Sequence, residues 1–414
     1  MNDSLLADKK IIIASYMHVM KDEFTTLGGP ALALRNYLKT RVAKLTCIWQ
    51  PLPISDTLDA LAEVFQDGSR TVYHLPTLNW PWDREGGINF LYVALKPRDL
   101  LADVYFGIRL RDRYDYWVGV ESLNALVGVA LRRMGIVKRV IYYNLDYGEA
   151  RFKNKYLNWI FHTLDRQAAR HADVVWNLSP EMARTRNRLT KGNVKFAPQV
   201  TVPIGTDAER IERLPLEQID RYAIVYLGLL SENTGAMLML EAMPELLRRL
   251  PQAKLRVVGS GPLENAMRAR AVQLGLSASV EFIGRVSDKR VEEILCHSAV
   301  GVAPYAPDPA SIKKFTDVTK PRMYMTCGLP VIITGVPPAA QEIVEHRAGI
   351  VINYDKTELA DAVIRMLTDD KMLNAFRQNA VKLAYKYGWV DILTRAFSDT
   401  MNLLEKNAVV QTDG

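Results

Sequence analysis

Residues 223–262 read AIVYLGLLSENTGAMLMLEAMPELLRRLPQAKLRVVGSGP. The stretch opens on a short apolar run that stops at Gly228, continues as a helix-period segment from Ala236 to Leu250, and returns to a second apolar run ending in Gly259 and Gly261. A strand, a helix and a strand within forty residues leave room for a crossover connection, so the two strands must run parallel. Working outward, the pattern repeats: helix 263–274, VEFIG (280–284), helix 288–298, VGVAPY (300–305), TDVTKPRMYMTCGLPVIIT (316–334), helix 339–346 and GIVIN (349–353).

The same alternation occupies the first half. A strand at 10–16 leads through Gly28-Gly29-Pro30 into a helix marked by Ala31, Leu34 and Leu38. DYWVGV (115–120), a helix from Ser122, RVIYYNLD (139–146), a helix over 153–172 and DVVWNLS (173–179) follow. Strands alternating with helices imply open, doubly wound parallel sheets. The fold class is therefore α/β with two Rossmann-like domains. TVPIGTDAERIERLPLEQIDR (201–221) is polar and aperiodic, which places domains at 1–205 and 222–388 with a linker at 206–221. Trp389 in KYGWVDILTRAFSDTMNLLEK (386–406) begins a last amphipathic helix within 389–414.

Composition narrows the function classes. With 414 residues, 49% hydrophobic and 24% charged, the chain has enough apolar mass for two cores. Its apolar runs fall short of the roughly 18–20 residues that span a bilayer, and charges interrupt MNDSLLADKKIIIASY (1–16), so a cytoplasmic protein is expected. Cys47, Cys296 and Cys327 are widely spaced and read as buried small hydrophobes. The six histidines lack HxxxH or HExxH spacing, so no metal site is expected. Residues 1–207 hold 28 Lys and Arg against 21 Asp and Glu, while the remainder holds 25 against 25, so the net charge of +7 lies in the first half. That asymmetry points to an anionic partner such as a membrane surface or a phosphorylated lipid. No nucleic-acid-binding motif accompanies it, so nucleic acid is not expected.

Parallel α/β sheets bind ligands at the carboxyl ends of strands. Gly228 ends the first strand of the second half, Ser231 and Asn233 are candidate N-caps, and Gly235 could let backbone approach a phosphate; Gly259 and Gly261 lie in the next loop, and such loops read either as phosphate or ligand loops or as tight turns. Arg285, after the third strand, reads either as a base-edge contact or as a solvated charge. Lys320 opens the helix within 316–334, where its ammonium and the helix N-terminus could converge on a diphosphate, whereas Arg322 should point away. In the first half, Gly28 and Gly29 read as either a close-approach turn for substrate or a flexible one. Glu121 and Asp146 end buried strands, each suited to accept a proton from an acceptor hydroxyl or to cap a helix.

Taken together, GGP (28–30), YYNLD (142–146), ADVVWNLSPEM (172–182), VPIGTD (202–207), VYLGLLSENTGAMLMLEAM (225–243), VVGSGP (257–262), VEFIGRV (280–286) and YMTCGLPVI (324–332) resemble the GT-B glycosyltransferases of the large retaining group called glycosyltransferase family 4. The resemblance implies two Rossmann-like domains facing a central cleft, a nucleotide-sugar donor on the C-terminal domain, an acceptor on the N-terminal one, and a last helix from Trp389 crossing back. It implies transfer to a hydroxyl of a glycan or lipid-linked acceptor with no metal or other cofactor, in bacterial surface polysaccharide assembly. A peripheral contact with the inner face of the membrane through the basic first half goes with it. The implied catalytic residues are Lys320 and Asp146. The implied donor contacts are Gly228, Ser231, Thr234, Gly235, Gly259, Gly261, Arg285, Val286, Tyr305, Asp317 and Tyr324; the acceptor contacts are Gly28, Gly29 and Glu121.

The chain departs from the family pattern at four positions. Leu229 and Thr234 stand where relatives carry Arg and Lys, and Phe315 and Met323 where they carry two Glu. Lys320 with Tyr324 matches a subset that places lysine at this spacing. A rival from another class is a degenerate GT-B protein that binds nucleotide or a partner without catalysis. A dinucleotide-dependent oxidoreductase is a third reading, opposed by the absence of an acidic residue ending VEFIG (280–284).

Overall fold

A computed structural model of the chain describes residues 5–17, 29–51, 59–76, 96–110, 112–152, 154–308 and 311–412. Two compact units emerge: residues 1–147, 151–202 and 390–414 form the first, and 148–150 with 203–389 form the second.

In the first unit, β1 (Lys10–Met17), β2 (Lys44–Pro51), β3 (Ala60–Gln66), β4 (Ser69–Leu75), β5 (Tyr114–Val120), β6 (Val137–Asn144), β7 (Val174–Asn177) and β8 (Gln199–Thr201) form one sheet. Their order is β4-β3-β2-β1-β5-β6-β7-β8. Helices α1 (Pro30–Leu38), α2 (Lys96–Arg109), α3 (Ser122–Arg133), α4 (Lys155–His171) and α5 (Pro180–Leu189) connect and cover it. Ile12, Ile48, Trp117, Val140, Tyr142 and Val175 line one core face.

This sheet is not wholly parallel, as strand–helix alternation alone suggests. β2, β3 and β4 pair antiparallel, and Asp67 and Gly68 close the β3–β4 hairpin with φ of 51° and 73°. A two-residue Asp-Gly turn with both φ positive matches the twist of a hairpin, so the signal LAEVFQDGSRTVYHL (61–75) was local.

The second unit holds β9 (Ala223–Leu227), β10 (Lys254–Val258), β11 (Val280–Gly284), β12 (Val300–Ala303), β13 (Val331–Thr334) and β14 (Gly349–Ile352). All pair parallel in the order β11-β10-β9-β12-β13-β14. Helices α6 (Ala236–Arg249), α7 (Glu264–Gln273), α8 (Asp288–Cys296), α9 (Thr319–Thr326), α10 (Ala339–Glu345), α11 (Lys356–Thr368) and α12 (Asp370–Tyr385) flank it. One core packs α6 and α11 onto one face; the other packs α8, α9, α10 and α12 onto the opposite face. The three cysteines are buried with free thiols.

The polar stretch at 206–221 is part of this unit's fold. Thr206 bridges to Gly388, Arg213 donates to the Thr326 carbonyl at 2.8 Å, and Asp220 pairs with Arg256 at 3.0 Å. The final helix, α13 (Trp389–Thr412), packs within the first unit, where Phe397 stacks on Tyr37 and Trp176 donates to Thr400 at 2.8 Å. Among the described residues, no helix is long and apolar enough to cross a membrane.

Candidate functional site

In the second sheet, connections run outward from β9 to β10 and β11 on one side, and from β12 to β13 and β14 on the other. The carboxyl ends of β9 and β12 are therefore a topological switch point, where this class of sheet opens a crevice. The β9–β12 ladder pairs Ile224 with Val300 and Val225 with Gly301. Beyond it, the Tyr324 hydroxyl accepts the Leu227 N–H at 2.8 Å and donates to the Val302 carbonyl at 3.1 Å. A Cβ at Gly301 would sit 2.4 Å from the Tyr324 ring, so this glycine admits the wedge that fills the space where the strands part. Tyr324 is buried and spends its hydroxyl inside the protein, which makes it a builder of the crevice rather than a ligand contact.

Lys320 stands in the first turn of α9, directly at this switch point. Its Nζ donates to the Tyr226 hydroxyl at 2.8 Å, lies 4.2 Å from the centroid of that ring and lies 5.4 Å from that of Tyr305. A Cβ at Gly228 would lie 2.6 Å from Lys320 Cε, so the glycine that ends β9 makes room for the lysine stem. Among the described residues the ammonium has no carboxylate partner, and burial, assisted by nearby Lys313, pulls its pKa down to about 7.

Arg322 behaves differently from a solvated cation. It is 4% exposed, contacts Asp317 at 3.3 Å and Glu342 at 3.2 Å, and lies 3.5 Å from the Tyr387 ring centroid. The Asp317 carboxylate also accepts the backbone N–H groups of Ile204 and Val318, both at 3.0 Å. Burial raises the Asp317 carboxyl above its ordinary value, against the pull of Arg322. A carboxylate so occupied anchors its loop, which runs against the expectation of Asp317 as a donor contact.

The glycine loops are stitched to one another. Gly228 N–H donates to Val258 at 2.8 Å, Leu230 N–H to Ser260 at 3.0 Å, and Gly259 N–H to Gly284 at 2.8 Å. A Cβ at Gly259 would lie 2.1 Å from the Gly228 carbonyl oxygen, one at Gly261 2.4 Å from that of Leu230, and one at Gly235 1.7 Å from that of Pro304. Protein backbone alone accounts for these three glycines. The Thr234 hydroxyl lies 2.8 Å from the carbonyls of both Leu229 and Ser231 and accepts the Ser231 N–H at 3.2 Å. It thus closes the loop internally, while Leu229 is 55% exposed. Tyr305 is buried beside Lys320, Arg285 is exposed after Gly284, and Val286 packs at the edge of the α8 core.

The first sheet has its own switch point, between β1 and β5. Glu121 follows β5 with φ of 71°, a left-handed conformation uncommon for a side-chain-bearing residue and typical of functional turns. It precedes α3 without capping it, and its carboxylate makes no hydrogen bond or ion pair among the described residues. Burial pushes its pKa up to about 7, with Arg151 opposing and Asp146 adding to the shift. Asp146, after β6, pairs with Arg151 at 3.1 Å and is 31% exposed. Lys96 stands 3.5 Å from the Tyr16 ring centroid at the end of β1, and burial lowers its pKa to about 8. Glu121, Asp146, Arg151 and Lys96 thus form one charged group. Gly29 directly precedes α1, whereas Gly28 lies outside the described residues.

Sequence reasoning passed over two supporting features. Tyr226 reads as an apolar strand residue, yet its hydroxyl faces Lys320. Asp165, inside α4, is fully buried and accepts from Tyr142 at 2.8 Å, Asn144 at 3.1 Å and Arg186 at 2.8 and 2.9 Å. Asn144 in turn accepts the Asp146 N–H at 3.2 Å, so the network sets the loop that carries Asp146.

Residues 221–369 match the family model described as glycosyl transferases group 1. Over that stretch the chain is similar to the domain of group 1 glycosyl transferases. The matched stretch takes in the whole second sheet and the Lys320 crevice. Over 178 residues the chain is 29% identical to an uncharacterized glycosyltransferase, MJ1607, of Methanocaldococcus jannaschii, covering 42% of this chain and 43% of that relative. It thus spans less than half of that relative's length. The GDP-mannose-dependent alpha-(1-6)-phosphatidylinositol monomannoside mannosyltransferase of Mycolicibacterium smegmatis is 25% identical over 323 residues, 74% of this chain and 77% of that protein. Among solved structures, Anabaena Alr3699/HepE in complex with UDP-glucose superposes with a TM-score of 0.63 at 15% identity, covering 95% of this chain and 99% of that one. The fold is accordingly that of GT-B glycosyltransferases, and the chain resembles family 4.

Proposed function

We propose that the chain transfers a sugar from a nucleoside-diphosphate sugar to a hydroxyl of a glycan or lipid-linked acceptor. The observation that carries this reading is Lys320, held at the β9–β12 switch point of a stretch similar to group 1 glycosyl transferases. As the bond from the anomeric carbon to the diphosphate oxygen breaks, the electron pair stays on the leaving group. An ammonium fixed beforehand where that charge develops lowers the barrier without reorganising water. The reading needs no resident metal. Retention of configuration, a role in bacterial surface polysaccharide assembly, and work at the inner face of the membrane through the basic first half complete the proposal.

Glu121 and Asp146 are the carboxylates proposed to meet the acceptor hydroxyl. Glu121 is the better proton acceptor, because a group whose pKa lies at about 7 is matched to neutral pH. Only its ionised form accepts a proton, so transfer at saturating donor, where the bound diphosphate keeps Lys320 protonated, should rise with pH through about 7. Glu121→Gln should remove that rise and lower kcat by about 10²–10³-fold while leaving donor binding unchanged. An unaltered pH profile in the variant would contradict the role.

Exposed Leu229 and internally engaged Thr234, standing at the usual cation positions, favour a second reading in which the domain binds nucleotide without turnover. The full chain should be offered UDP-, GDP- and dTDP-sugars, with nucleotide release and binding both measured. Release of a nucleoside diphosphate from one of them supports the transferase. Binding without release supports the second reading, and neither binding nor release overturns both.

A further inference from the structure

The Lys320 ammonium is an unusual cation to find in a crevice. Its surroundings come from three elements: Tyr226 at the end of β9, Tyr305 after β12, and Lys313 in the turn at 312–314 that precedes α9. The nearest acid in its own loop, Asp317, is committed to Arg322 and to two backbone N–H groups. With no carboxylate opposite among the described residues, a flexible four-carbon stem has nothing ionic there to hold it in one rotamer. The Tyr226 hydroxyl accepts the ammonium at 2.8 Å and donates to the Leu229 carbonyl at 3.0 Å, so one side chain ties the lysine to the loop after β9. The ring beneath adds an attraction for a cation that survives desolvation and, unlike a carboxylate, does not neutralise it.

We propose that Tyr226 is the positioning residue of the donor site: its ring and hydroxyl hold the Lys320 amine over the Gly228 turn, in place of an ionic partner, so that the charge of its protonated form is left unneutralised for a diphosphate. The inference rests on the donor reading given above. It also accounts for how a site with Leu229 and Thr234 at two cation positions could keep a directed charge.

The test compares wild type, Tyr226→Phe and Thr234→Val by titration calorimetry with UDP and GDP between pH 6 and 9. Tyr226→Phe keeps the ring and loses the hydrogen bond that stabilises the charged amine. Its binding should therefore fail at lower pH than wild type, the midpoint moving down by about one unit, with affinity about tenfold weaker at pH 8 and nearly unchanged at pH 6. Thr234→Val loosens the same loop without touching Lys320, so it should weaken binding equally at every pH and leave the midpoint in place. A Tyr226→Phe curve that superposes on wild type overturns the proposal, as does an equal midpoint shift in Thr234→Val. If wild type binds neither nucleotide, the donor reading itself fails and this inference falls with it, a result distinct from the other two. Should Tyr226→Phe not fold, Tyr226→Trp keeps a ring under the amine, and an unshifted midpoint in that variant counts against the proposal in the same way.

Discussion

Lys320→Ala is expected to lower sugar transfer by about 10²–10³-fold, the range seen when one fixed group that stabilises transition-state charge is removed. Donor affinity should weaken less, by about tenfold, because a charge-assisted bond to the ground-state diphosphate is lost along with it. The chain should stay folded. Burying an ammonium that lacks a carboxylate is unfavourable, so its removal should leave the unfolding midpoint unchanged or raised. A variant equally active at saturating donor would show that the crevice at β9 and β12 does not hold the leaving group. A variant inactive because it unfolds would show that the lysine is a structural element of α9.

The second large effect concerns stability. Asp165 and Arg186 are each 1% exposed and bonded through two contacts, and Arg186 also donates to Asn177 at 3.1 Å and Gln199 at 2.9 Å. Asp165→Ala leaves a guanidinium buried without its counter-ion and should cost about 3–5 kcal/mol in denaturant unfolding of the first unit. The double variant Asp165→Leu, Arg186→Met replaces the pair by apolar groups of similar bulk and should recover most of that loss. Equal destabilisation by the single and double variants would mean that packing, not charge pairing, sets the cost. Because Asn144 links Asp165 to the Asp146 loop, the single variant should also weaken acceptor use more than donor binding.

What could be read from the sequence divides along a physical line. Local periodicity was enough for the βαβ unit at 223–258 and for most later strands, because burial on both faces makes parallel strands short and wholly apolar. The β3–β4 hairpin was equally local, yet strand–helix counting passes over its Asp67-Gly68 turn. Lys320 was legible by its position at the start of a helix after a strand end. Its surroundings were not: Tyr226 is 94 residues away in sequence, and nothing in AIVYL distinguishes a tyrosine packed in a core from one aimed at an amine. Asp317 and Glu342, only 5 and 20 residues from Arg322 in sequence, make that cation a buried strut, a pairing that helical spacing alone does not reveal. The glycines of the second unit illustrate the reverse case, since Gly235, Gly259 and Gly261 looked like phosphate-loop residues and are required by neighbouring carbonyls. Thr234, a departure from the family pattern when read as a missing lysine, proves to be the hydroxyl that closes its loop.

The central claim is that Lys320 is the cation that receives the donor diphosphate, and proton uptake tests it most directly. A free lysine with a pKa of about 7 is largely neutral at pH 8, and a bound diphosphate would restore its charge by raising that pKa. Calorimetric titration of the preferred nucleoside diphosphate at pH 8, in two buffers of different ionisation enthalpy, should therefore show uptake of close to one proton in wild type and none in Lys320→Ala. Tight binding without proton uptake in wild type, or uptake undiminished in Lys320→Ala, would contradict it.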